Sequence, residues 1–140
     1  MELQVISQLI LVVILGSLIG FEREYKGKGA GLQTYSLVAL GACLFTIISF
    51  ELTKFEINFN PSGLIQAIAI GIGFLGAGVI FRQPTGTVGL TTAAGLWTTA
   101  AIGMAVGAKF YFLAIVSTLL TLLILAGLGI LEEKIFKSRQ

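Results

Sequence analysis

The sequence predicts an all-α integral membrane protein, a compact glycine-rich bundle of five transmembrane helices with its N-terminus outside and its C-terminus cytoplasmic. Three observations carry this reading. Of 140 residues, 56% are hydrophobic and 11% charged, with a mean hydropathy of +0.97, far from the roughly one-quarter charged composition of soluble domains. Five apolar runs each approach the ~20 residues that cross a ~30 Å hydrocarbon core at ~1.5 Å per residue. The basic residues outside the runs fall seven to one side and two to the other, and cytoplasmic loops carry the excess of Lys and Arg.

The first run, Leu3 to Phe21, is preceded only by Glu2 and leads into EREYKGKG rather than a small-residue cleavage site. It reads as a retained helix, not a signal peptide. Gly16 and Gly20 form a G-x-x-x-G pair on it. Helices in lipid associate by close packing, so small residues mark contact faces. Glu22, Arg23 and Glu24 stand where this helix leaves the membrane. One further turn places Arg23 on the face of Gly16 and Gly20. A guanidinium there should be held by carboxylate or carbonyl oxygens. Glu22 or Glu24 of another chain are the candidates, and Arg82 would complete a charge network closing the cytoplasmic side. Lys26 and Lys28 should lie among solvated headgroups.

The second run, Thr34 to Leu52, contains Cys43, which has no second cysteine to pair with and reads as a buried small hydrophobe. After the loop KFEINFNPSG, the third run, Leu64 to Phe81, includes GIGFLGAGVI. Ala69, Gly73 and Ala77 form one small-residue stripe; Ala67, Gly71 and Gly78 form a neighbouring one, and Gly76 adds to the set. A helix that can be approached from several sides belongs in the middle of the bundle. The alternative is a helix unwound near Gly76 to Gly78, exposing carbonyls to an ion as transporters do.

RQPTG separates this run from the fourth, Val88 to Val106, which begins its helix with GLTTAAGLWTTAA. Thr91 stacks over Thr98 and Thr92 over Thr99. With Thr34, these hydroxyls form a candidate polar seam. Each either bonds back to the carbonyl four residues earlier or faces another helix or a permeating species. Trp97, near the middle of the span and away from the interfacial belt tryptophan prefers, suggests a packing role. Thr99, Gly103 and Gly107 repeat the small-residue spacing. A short GAK then makes a tight hairpin with the fifth run, Phe110 to Ile130.

Chemistry is sparse. There is no histidine, all seven acids are glutamates, and one cysteine is present, so a zinc site, a serine triad or an aspartic dyad cannot be assembled within one chain. No catalytic residue is assigned, and the protein reads as a non-enzyme. The net charge of +2 and pI near 8.9 are explained by topology and anionic headgroups, without nucleic acid. No Lys, Arg or Glu lies well inside a span, against a proton relay. For a metal, Glu22 and Glu24 are the weak candidates: in an oligomer they could form an acidic ring holding Mg2+, against the plainer reading of a solvated helix end. The expected partners are the lipid bilayer, a second copy in a dimer or higher homo-oligomer, and another inner-membrane protein.

GSLIGFERE, GLQTYSLVALGA, GIGFLGAGVI and GLTTAAGLWTTAAIGMAVG resemble, in order, the motifs of the MgtC/SapB family of bacterial inner-membrane proteins, from about Leu9 to Ala114. The resemblance implies a five-helix membrane domain and a role in magnesium limitation, stress or virulence. In the best-known member this is restraint of the F-type ATP synthase; a channel or carrier for a cation such as Mg2+ is the alternative. The family often has basic residues where Gln33 and Gly63 stand and near Tyr35. Longer members add a cytoplasmic C-terminal domain; residues 1–140 are expected to form the transmembrane domain alone.

Overall fold

The computed structural model describes residues 2–55, 60–84 and 86–136. Helix α1 (Glu2–Tyr25) is followed by α2 (Leu32–Leu52) and α3 (Pro61–Gly78). A two-stranded antiparallel hairpin of β1 (Phe81–Gln83) and β2 (Gly86–Val88) leads into α4 (Leu90–Gly107). The last rod runs through α5 (Tyr111–Leu122), a π-helical segment (Leu123–Leu128) and α6 (Gly129–Phe136). Among the described residues, four helical stretches are long and apolar enough to cross a membrane: Glu2–Tyr25, Leu32–Leu52, Leu90–Gly107 and Tyr111–Leu131. The chain is a membrane protein of predominantly helical fold. Large apolar side chains such as Leu3, Ile10, Leu37, Phe74 and Phe112 cover its outside, as lipid requires.

Two glycine stripes set the packing. A Cβ on Gly16 would lie 2.8 Å from Ala39 Cβ, and one on Gly20 would lie 2.7 Å from Leu32 Cα, so α1 and α2 touch backbone to backbone. Ser17 and Ser36 join their hydroxyls across this crossing at 2.8 Å. On the other side of α2, Gly95 meets the Tyr35 ring, Gly103 meets the Ala39 carbonyl and Ala42, and Gly107 meets Cys43 O and Thr46. These glycines recur at four- and eight-residue intervals, one face of α4. The core fills from the same three helices: Val12, Ile19, Tyr35, Ala39, Cys43, Leu96, Ile102 and Val106 are all buried.

The helix in the middle is therefore α4, which touches α1, α2, α3 and α5, and not the glycine-rich α3. Among the described residues, a Cβ on Gly71, Gly73 or Gly78 would meet nothing within 4 Å, and one on Gly76 would make only an ordinary 3.5 Å contact with Ala93. The cause is that α2 and α4 dock directly on each other, leaving α3 on the outer side of α4. Helix α3 is continuous from Pro61 to Gly78, without the unwound stretch entertained at Gly76. Asn60 caps it by accepting the Ser62 N–H at 3.0 Å, as short polar side chains do at an N-cap.

The hairpin replaces the expected extension of the third span to Phe81 and the early start of the fourth at Val88. Pro84 cannot donate to a helical ladder, and Thr87 and Val88 are β-branched, which favours extended backbone. Gly89, at φ 95°, turns the chain into α4 where a Cβ would fall on the Val79 carbonyl. Only glycine fits there.

Candidate functional site

Five charged residues, Glu22, Arg23, Glu24, Lys26 and Lys28, stand at the end of the bundle where α1 stops and α2 begins. Gly27, at φ 60°, ends α1 in a left-handed turn, with Lys28 N–H bonded to Arg23 O and Gly27 N–H to Glu24 O. This is a Schellman cap, for which glycine is the favoured residue. Arg23 is 2% exposed, on the face expected for it. Its partner, however, is Glu22 of the same chain: Nε bonds Oε2 and Nη2 bonds Oε1 at 2.9 Å. No second chain is needed to hold it.

Lys26 joins the same carboxylate, with Nζ 2.8 Å from Glu22 Oε1, and it also donates to the Leu125 carbonyl at 2.9 Å. In an α-helix that carbonyl would accept from Gly129 N–H. Here Gly129 N–H turns to Ala126 O instead, and the Leu125 oxygen accepts from the ammonium. A Cβ on Gly129 would stand 3.3 Å from Nζ. Lys26 is thus a strut between α1 and the last rod, contrary to the expectation that it sits among headgroups. Lys28 is exposed.

The two glutamates do not act together. Glu24 turns to α2, where its Oε2 accepts the Leu32 N–H at 3.0 Å, a favourable place for an anion beside the positive end of a helix. Both Glu22 oxygens are taken by cations. Arg82 lies on the exposed hairpin opposite Thr87 and enters no ion pair among the described residues. The expected network of Glu22, Arg23, Glu24 and Arg82 is therefore Glu22, Arg23 and Lys26. Among the described residues no three His, Cys, Asp or Glu side chains gather as metal ligands would.

The threonines divide. Thr92 and Thr99 are buried, whereas Thr91 is exposed and Thr98 bonds back to Ala94 O at 2.9 Å. The two stripes stand about 100° apart on α4, and the edge of the bundle runs between them. Thr34 is exposed on α2. Thr99 Oγ1 and Ser49 Oγ are buried with no partner among the described residues. Trp97 is exposed, facing outward rather than into the bundle.

Two buried polar side chains went unnoticed in the sequence. Gln8 caps α4 from α1, donating to Val106 O at 2.7 Å and Gly107 O at 3.2 Å. Tyr35 donates to the Thr92 carbonyl at 3.2 Å, passing over Gly95. A polar amide inside an apolar run was a signal for Gln8; nothing local marked its partner about a hundred residues away.

On the outside, α2 and α3 border an open apolar groove of about 660 Å3. Thr34, Gly41, Phe45, Ala67 and Gly71 line it. Gly41 and Gly71 both have open space where a Cβ would stand, so backbone is accessible from the bilayer on both walls.

Known proteins extend these observations. A profile of the MgtC family matches residues 9–134. The Escherichia coli K12 protein named "Putative magnesium transporter YhiD" is 42% identical over 130 residues, covering 89% of this chain and 60% of that protein. Protein SrpB of Synechococcus elongatus is 36% identical over 137 residues, 90% of this chain and 75% of its own. Protein MgtC of Brucella abortus is 44% identical over 105 residues, 75% of this chain and 43% of its own. The chain thus spans well under two thirds of the length of YhiD and of the Brucella protein. No solved structure matches it.

Proposed function

The chain belongs to the MgtC family, and on that premise we propose that it is a non-enzymatic regulator in the bacterial inner membrane, acting through helix contacts with another membrane protein. The F-type ATP synthase is the partner that the family resemblance suggests. The observation that carries the proposal is the unfilled face of α3. Gly71 and Gly78, seven residues apart and therefore on one face, meet nothing among the described residues, although a glycine in a helix interior costs about 1 kcal/mol relative to alanine. Small residues are useful in lipid where another backbone comes close. A second copy or a different membrane protein would supply that backbone.

In this reading α3 is the fifth crossing. Its 18 residues span about 27 Å at ~1.5 Å per residue, close to the ~30 Å core. The N-terminus is outside, with Arg23, Lys26, Lys28, Arg82 and Lys134 on the cytoplasmic side and Lys54 and Lys109 opposite; Lys137 and Arg139 lie outside the described residues. Cys43 is buried, so an added cysteine can be labelled selectively. One at Lys28 should react only after the membrane is permeabilised and one at Lys109 before; the reverse order would refute the orientation.

The test of function is co-purification from native membranes in mild detergent, comparing wild type with Gly71→Leu. The variant should fold and lose the partner that wild type retains. An unchanged set of partners would refute the docking face.

The name of YhiD favours a second reading, a Mg2+ channel or carrier. Mg2+ demands oxygen ligands in near-octahedral geometry, and Glu22 would first have to release two cations. Reconstituted protein should then carry Mg2+ across liposomes; the regulator reading expects no flux.

A further inference from the structure

At the opposite end of the bundle from Glu22, the first turns of α1, the last turn of α2 and the α4–α5 connection enclose a cavity of about 550 Å3. Ile47 and Phe50 give it an apolar wall, Gln8 lies at its base, and Glu51, Lys54 and Lys109 give it a charged rim. Lys109 is the anomaly. It is the only described non-glycine residue at positive φ, 68°. Its N–H bonds Val106 O while Phe110 N–H bonds Ala105 O, the Schellman pattern that also closes α1. There the left-handed place is taken by Gly27; here a lysine stands where glycine would be unstrained.

Strained non-glycine backbone concentrates where a side chain is needed for function. Capping α4 does not explain the lysine, because Gln8 already donates to the last carbonyls, Val106 O and Gly107 O. Nor is it spent on an ion pair: the described acid of the rim, Glu51, holds Lys54 at 2.6 Å, and Lys109 is in no ion pair among the described residues. Among the described residues the rim therefore carries two ammonium groups against one carboxylate, beside an apolar wall, at the ends of membrane-spanning helices.

We propose that this cavity binds an anionic phospholipid of the adjacent leaflet, the phosphate on Lys109 and the rim and the acyl chains along Ile47 and Phe50. The argument rests on the membrane placement of the helices and is independent of the partner-docking reading. A lipid headgroup fits both halves of the lining, whereas free phosphate would use only the rim.

Native mass spectrometry of protein released from nanodiscs of phosphatidylcholine containing some phosphatidylglycerol tests this. Wild type should retain phosphatidylglycerol in preference to phosphatidylcholine. Lys109→Asn, which keeps a residue tolerant of the left-handed turn, should retain about fivefold less, the factor expected for one lysine near anionic lipid. Lys28→Ala, at the other end, should retain as much as wild type. Lys109→Gly should melt at a higher temperature yet also lose lipid, a combination a purely structural lysine would not give. Equal retention by Lys109→Asn and wild type, equal loss in Lys28→Ala, or displacement of the lipid by inorganic phosphate would each overturn the proposal.

Discussion

At the end of the bundle where α1 stops, the charge balance depends on Glu22, because one carboxylate neutralises both a buried guanidinium and the ammonium that reaches the π-helical segment. Removing one partner of a buried pair is far costlier than removing both, since the remaining charge is stranded. Glu22→Gln should therefore destabilise the protein by about 3 kcal/mol, the low end of that range because the Glu22 side chain keeps 13% exposure. The double variant Glu22→Gln/Arg23→Gln should recover part of the loss. Thermal unfolding in detergent checks this; if the single variant melts with wild type, the cluster is a solvated helix end. The position of Arg23 was legible from its spacing to Gly16 and Gly20. Its partner was not, because adjacent residues on a helix do not normally face each other, and Glu22 and Arg23 meet only through the reach of their long side chains. Lys26 was illegible for a different reason: its second partner is a backbone carbonyl in the remote π-helical segment, about a hundred residues away.

At the scale of the element, glycine spacing revealed which helices have contact faces but not which faces meet one another. The stripes at Gly16/Gly20 and Gly103/Gly107 find α2 within the chain; the stripe at Ala69, Gly73 and Ala77 looks identical in sequence and faces outward. Composition cannot separate the two cases, since both need small residues for the same physical reason. Substitution can. Gly103→Leu drives a side chain into the Ala39 carbonyl and should prevent accumulation of folded protein, overpacking being costly even where neighbours can shift. Gly73→Leu enters open space and should leave the unfolding temperature of the isolated chain nearly unchanged. If both accumulate and melt alike, α4 is not the central helix. The hairpin was missed for a related reason: RQPTG reads as a loop, and three-residue strands give too short an alternation to register.

The whole molecule is a bundle whose inside is closed and whose outside is unfinished on one side. The inner charges satisfy each other and the helix ends, α1, α2 and α4 interlock through glycine, and α3 is left with an open glycine face beside the α2 groove. That face is the account's central claim. Phe74 on α3 and Phe112 on α5 are almost equally exposed, 81% and 82%, so accessibility alone predicts the same behaviour at both. A photo-crosslinking amino acid placed at each position in turn, and activated in native membranes, distinguishes a docking surface from a lipid-facing one. The account predicts a protein adduct from position 74 and lipid adducts only from position 112; equal protein adducts from both, or none from position 74, would contradict it.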